Sequence, residues 1–336
     1  MNKKLIFRLY ANCIPVKGAR RSVVCDLQRG KVVFITNDLH DILKDHPESS
    51  FKELINTFGE GNEPILLEYF SYLEANDLGL WCTKSEIKHF PPLDLSFEHP
   101  YPIDNVIIDI DENSHHPFKK IFSEIEEISF SDIQIRTYSI LSLFEIDSIL
   151  SLCKHKRIKS ISLLIQYSPD MTEKSIIEFI RKNLLLDQLI ITSAPEEHIL
   201  ENDYCDVIFT TQKVDSDQCC GIVSSQYFSP NIHHFTEATA FNTCLNRKIG
   251  IDTAGRIKNC PSQTEDYGNV QDMPLTEALR NKEFTKYWKL KKNDITTCKD
   301  CEFRYICTDC RVFRESEDLY AKPSKCSYDP YTCTWQ

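Results

Sequence analysis

Apolar and polar positions recur along this chain with two different periods, and the changes of period mark out its parts. Ser22 to Leu27 and Lys31 to Thr36 are short β-branched runs. Gln28-Arg29-Gly30 between them predicts a three-residue hairpin turn, with glycine where positive φ is needed. The period then lengthens. Asn37 or Asp38 is placed to cap a short helix reaching about Lys44. Ser49-Ser50 opens a second helix, with Phe51, Leu54, Ile55 and Phe58 at helical spacing and Gly59 closing it. Pro64 opens a third, in which Ile65, Leu66, Tyr69, Phe70 and Leu73 form one apolar stripe ending near Asn76. Leu78 to Cys82 reads as a returning strand.

His89 to Pro102, with Pro91, Pro92, Pro100 and Pro102, predicts a linker. Beyond it strands and helices alternate. Asn105–Ile110, 128–137, Ile158–Gln166, Leu189–Thr192 and Asp206–Thr210 read as strands. Pro117–Glu127, 141–155 and Thr172–Leu186 read as helices, the last with Ile176, Ile177, Ile180 and Leu184 on one face. This rhythm over residues 100–215 predicts an α/β region with a parallel sheet, about half of an eight-stranded barrel. It carries no glycine-rich phosphate loop, no nucleophile elbow and no paired metal-binding histidines. The doublets His115-His116 and His233-His234 point apart on any regular element and read as surface residues. The region reads as scaffold or binding surface.

A hairpin followed by three helices over residues 1–90 has the layout of a small winged-helix-like module. It resembles the peptide-recognition (RRE-like) domains of peptide-modifying systems. That resemblance implies a leader peptide adding a strand along Lys31–Thr36 and resting on the third helix, with Val32, Phe34, Thr36, Tyr69 and Tyr72 as contacts. A structural α+β cap and a DNA-binding winged helix are the alternatives. DNA is disfavoured, because the third helix region carries Glu63, Glu68, Glu74 and Asp77 and no basic residue.

Composition agrees. The 336 residues hold 39 Lys and Arg against 50 Asp and Glu, a net charge of -11, which argues against general nucleic-acid binding. The length predicts two or three domains. The N-terminus lacks the features of a signal peptide, and no run approaches about 18 apolar residues, so the expectation is a cytoplasmic protein with no membrane partner. In that compartment the 15 cysteines favour metal ligation over disulfides. Cys13, Cys25, Cys82, Cys153 and Cys205 are scattered and read as structural. The adjacent Cys219-Cys220 is ambiguous: a bland structural role is the preferred reading, and a redox-active vicinal pair is the alternative.

The remaining eight cysteines lie from Cys244 onward, and residues 240–336 form a small cysteine-rich domain in this reading. Cys244 precedes a predicted hairpin, Ile249–Asp252 to 257–259, and Gly255 stands five residues before Cys260. A helix is predicted from Pro274 through Trp288, with Leu275, Ala278, Leu279 and Phe284 inward. Then come Cys298-x2-Cys301-x5-Cys307-x2-Cys310, Cys326 and Cys333. Such spacings let thiolates converge on one centre, and both tetrahedral zinc and iron–sulfur clusters accept them.

These motifs resemble the SPASM domain of radical enzymes that modify peptides, although the last pair of the run is one residue closer than usual. The resemblance implies two [4Fe-4S] clusters, with zinc the alternative. Cys298, Cys301, Cys307 and Cys326 would hold one cluster. Cys244, Cys260 and Cys310 would hold the other, with Cys333 as candidate fourth ligand. No C-x3-C-x2-C triplet exists, so a self-sufficient radical enzyme is not expected. The chain as a whole resembles the SPASM-domain peptide maturases of grasp-with-spasm systems. That implies a maturation factor binding a precursor leader peptide and acting with an ATP-grasp ligase. A redox peptide-modifying enzyme and a zinc-stabilised scaffold are the alternatives.

Overall fold

The computed structural model describes residues 2–128, 132–153 and 158–336. In chain order it places strands β1 (Ile6–Leu9), β2 (Cys13–Lys17), β3 (Ser22–Asp26) and β4 (Lys31–Ile35), then helices α1 (Asn37–Asp45), α2 (Phe51–Phe58) and α3 (Glu63–Ala75), and strand β5 (Gly79–Cys82). There follow β6 (Asn105–Ile110), α4 (Phe118–Ile128), β7 (Asp132–Thr137), α5 (Leu143–Ser151), β8 (Ser160–Gln166), α6 (Glu173–Lys182), β9 (Leu186–Thr192), β10 (His198–Ile199) and β11 (Asp206–Phe209). The chain ends with α7 (Ile232–Ala240), β12 (Lys248–Ile251), β13 (Ile257–Lys258), α8 (Leu275–Arg280), β14 (Tyr328–Asp329) and β15 (Thr334–Trp335). The predicted strand start at 129–131 and helix end at 154–155 lie outside the described residues. No described helix is long and apolar enough to cross a membrane.

Two compact units share the chain, and each draws on separated stretches. The first is Met1–Phe97, Val223–Thr243 and Leu290–Gln336; the second is Glu98–Ile222 and Cys244–Lys289. These divisions differ from the three consecutive regions expected from sequence. The cysteine-rich stretch is cut at Leu290 because its two ends bury their apolar residues in different cores.

In the first unit, β2-β3-β4 form an antiparallel sheet with Val24 opposite Val33. The β3–β4 loop has four residues, since Asp26 pairs with Lys31; Gly30 turns it at φ 68°. Asp26 accepts the Gln28 and Arg29 amides and tightens that turn. Helices start where short polar side chains satisfy the first free amides: Thr36 caps α1, and Ser50 with Glu53 forms a capping box on α2. One face of the sheet joins α1–α3 in a core of Phe7, Leu39, Phe51, Leu66, Phe70 and Leu73. The other face, Val16, Val23, Cys25 and Leu27, packs on Phe235, Phe303, Ile306 and Tyr328. β1 pairs with β5, and neither β1 nor β2 was expected. Pro15 sits where proline is tolerated, on edge strand β2.

In the second unit an eight-stranded sheet runs β10-β11-β9-β8-β7-β6-β12-β13. From β11 to β12 all neighbours are parallel, which fits the predicted α/β region. Its strands alternate: Val106, Ile108, Ile133, Ile135, Ile161, Leu163 and Ile165 are buried on one face, while Asn105, Asp109, Gln134, Arg136, Ser162 and Gln166 point to the other. The predicted helix to Leu186 stops earlier, at Lys182. The Asn183 side chain turns back to the Phe179 carbonyl and to Asp147, and Leu184 is left exposed. The predicted helix to Trp288 likewise ends at Arg280, where Asn281 turns extended and its side chain accepts the Glu283 amide to start a 3-10 turn.

Candidate functional site

The open edge of the first unit's sheet is β4. The structure does not gather the five candidate peptide contacts on one face. Val32 and Phe34 face the Phe303 side of the sheet; Phe34, 45% exposed, lies 6.0 Å from the Phe303 ring with the Arg21 guanidinium 4.0 Å from its own centroid. Thr36 ends the strand and caps α1. Tyr69 lines a groove of about 410 Å³ on the helical side, with Ile42, Phe58, Ile65, Asp38 and Asp45. Tyr72 is exposed outside this groove.

Within the same unit, Cys298, Cys301, Cys307 and Cys326 sit in electrostatic range of one another. Short turns bring them together: 3-10 residues 298–300 close the first pair, and the Phe303 amide points at the Cys301 Sγ at 3.4 Å. Lys292, only 4% exposed, lies against them, its Nζ 3.9 Å from the Cys298 Sγ. Burial alone would lower the Lys292 pKa, but Cys307 and Cys298, when they are thiolates, and Asp309 outweigh it and hold the ammonium. Lys292 and the fully buried Arg311 share the carboxylate of Asp309, at 3.7 and 2.6 Å. Two buried cations therefore face one carboxylate, and the surplus positive charge suits a set of thiolates. Burial pushes the Cys307 thiol up to about 11, against the pull of Lys292, so it is a protonated thiol unless a metal takes the proton's place.

Glu302, between two of these cysteines in the chain, is wholly buried. Its Oε1 accepts from Arg21 Nε at 2.7 Å and from the Tyr328 hydroxyl at 2.5 Å. The Arg21 that stacks on Phe34 of the open edge therefore also holds the cysteine loop. Cys333 lies on the β14–β15 hairpin with its Sγ toward the Pro330 carbonyl. Cys310 is buried in this unit, whereas Cys244 and Cys260 belong to the second.

In the second unit β12 and β13 form the expected hairpin, with Gly255 at φ 77°, but β12 also extends the parallel sheet by pairing with β6. The Asn259 side chain donates to the Leu245 and Lys248 carbonyls at 2.9 and 2.7 Å, fixing the Cys244 turn beside the Cys260 strand. The Lys248 Nζ is 4.0 Å from the Cys244 Sγ. The sequence reading missed this lysine and Lys292; a lysine a few residues from a clustered cysteine is the only signal they offered.

At the carboxyl ends of β6, β7 and β12 lies a polar cavity of about 340 Å³ lined by Asp109, Tyr138, Asp217, Asp252 and Lys258. Asp109 is locked by Arg136, with two contacts of 2.7 Å, and by the Tyr138 hydroxyl at 2.9 Å; Lys258 pairs with Asp252 at 2.9 Å. The sequence reading had placed no site in this region. His116 of the first histidine doublet turns its Nε2 to the Asp109 carbonyl, and the second doublet lies on α7.

No family model matches the chain, and no curated protein matches it. Among solved structures it is similar to Streptococcus suis SuiB bound to S-adenosylmethionine, at 12% identity and a TM-score of 0.35, covering 96% of this chain and all of that one. It is also similar to SuiB bound to precursor peptide SuiA, at 10% identity and a TM-score of 0.40, covering 96% and 98%. Similarity at this level assigns neither activity nor ligand to this chain.

Proposed function

We propose that this chain is an iron–sulfur-containing maturation factor for a ribosomally made peptide, binding the precursor's leader and acting with an ATP-grasp ligase. The observation that carries it is the joining, inside one unit, of an open edge strand to a buried, positively biased four-cysteine set through Arg21 and Glu302. The motif resemblance to SPASM-domain maturases supports the ligase partnership. Cys298, Cys301, Cys307 and Cys326 are the residues that would hold a [4Fe-4S] cluster, which supplies one-electron chemistry or a rigid structural anchor when bound. β4 offers main-chain groups to the leader, and the groove lined by Tyr69 on the helical side offers a side-chain pocket.

Titration tests this directly. Fluorescein-labelled peptides carrying the leaders of short reading frames beside the gene are expected to raise anisotropy with a micromolar Kd. Phe34→Glu, which places a charge on the open edge, is expected to weaken binding at least about tenfold. Absence of binding by every such peptide at about 100 μM overturns the reading.

A further inference from the structure

Cys220 falls outside every cysteine motif of the sequence, and the fold moves it into one. Its 3-10 turn is closed by the Cys220 amide on the Asp217 carbonyl at 3.1 Å, and the Ser262 hydroxyl donates to that same carbonyl at 3.4 Å. Ser262 is two residues past Cys260, so this carbonyl ties the Cys220 turn to the Cys260 loop. The Cys260 loop is pressed on β12: a side chain at Gly250 would meet Pro261 at 2.4 Å, so no larger residue fits there. Asn259 holds the Cys244 turn against the same loop. Three cysteines from distant parts of the chain are thus anchored around one point. Lys248 lies among them: its Nζ is 4.0 Å from the Cys244 Sγ, Cys260 and Cys220 are its other cysteine neighbours, and the Arg136 guanidinium, paired to Asp109, is in range of Cys220 and Cys260. Like the set beside Lys292, this one encloses a lysine.

We propose that Cys220, Cys244 and Cys260 together supply thiolates to one iron–sulfur cluster, Cys220 taking the place for which the SPASM resemblance offered Cys333. This deepens the iron–sulfur reading above and rests on it. Each thiol gives up its proton as its sulfur binds iron, and Lys248 and Arg136 balance part of the charge that results.

The test is iron and acid-labile sulfide analysis of anaerobically purified full-length protein, with C220S, C219S and C333S alongside. Wild type is expected to hold about eight irons; C220S is expected to lose about half, and C219S and C333S to keep them. Full iron in C220S with loss in C333S overturns the assignment and leaves the iron–sulfur reading standing. Wild type with neither iron nor zinc overturns both. Stoichiometric zinc, lowered in C220S, supports Cys220 as a ligand and overturns iron. A second measurement needs no variant. Iodoacetamide mapping of wild type is expected to find Cys220 blocked until a chelator removes the metal, then labelled at least about tenfold faster, with Cys219 labelled alike in both states. Labelling of Cys220 as fast as Cys219 in the loaded protein overturns the proposal.

Discussion

Asp109→Leu is expected to destabilise the second unit by about 3–5 kcal/mol, the usual cost of stranding one member of a buried ion pair. Asp109 and Arg136 are 1% and 7% exposed and meet through two 2.7 Å contacts across β6 and β7. Without Asp109 the guanidinium remains charged at any working pH and has no carboxylate in reach of its fork. Arg136→Leu is expected to cost less, because a carboxyl can escape by taking a proton. Burial already pushes the Asp109 pKa up, and Arg136 is the main opposing influence. In that variant the folded state therefore binds a proton more readily than the unfolded chain, so its penalty shrinks as pH falls from 7 toward the ordinary carboxylate range and returns as pH rises. The double variant Asp109→Leu/Arg136→Leu is expected to regain most of the loss. Hydrogen exchange of β6–β8 reads this locally, with β1 and β5 of the first unit as the unaffected reference. Equal protection in wild type and Asp109→Leu would show the pair to be dispensable.

The same pair illustrates what the sequence made legible. The strands holding Asp109 and Arg136 were readable because Val106, Ile108 and Ile110 in β6 and Ile133 and Ile135 in β7 recur at every second position, the period of a strand with one apolar face. Their ion pair was not, since Asp109 and Arg136 are 27 residues apart and meet only through parallel register. Helix α2 was legible because its cap is local, Ser50 to Glu53; α1 was legible too, but its cap is Thr36 and not Asn37 or Asp38 as expected. β12 was legible as half of a hairpin but not as the neighbour of β6, a pairing that spans some 140 residues. The cysteine run from Cys298 was legible because its cysteines are a few residues apart. Cys220 was not, for it reaches Cys260 only through Asp217 and Ser262. Short-range chemistry wrote itself into spacing; long-range chemistry waited for the fold.

Removing the metal proposed for the first unit is expected to unfold residues 290–336 and little else. That stretch holds 3-10 turns and the two-residue strands β14 and β15, so its backbone has few ladder hydrogen bonds to fall back on. Its apolar contribution to the sheet is small: Phe303, Ile306 and Tyr328 are its fully buried members of that core. Against this stands the buried charge of Lys292 and Arg311 around Asp309, which loses its thiolate counterweight once the metal leaves and the sulfurs take up protons. A structural metal–thiolate site is worth on the order of 10 kcal/mol, comparable to the whole stability of a domain, so so small a segment has no other reserve. Cys301→Ser/Cys307→Ser and chelated wild type should therefore behave alike: hydrogen exchange should rise at least about a hundredfold over residues 298–326. Val23 and Cys25 of β3 should follow partway, since Phe303 and Tyr328 cover their face. The core of Phe51, Leu66 and Phe70 should stay protected, because α1–α3 close it from the other side. Retained protection over residues 298–326 in the metal-free protein would mean that packing alone holds the segment, and that its cysteines serve chemistry rather than architecture.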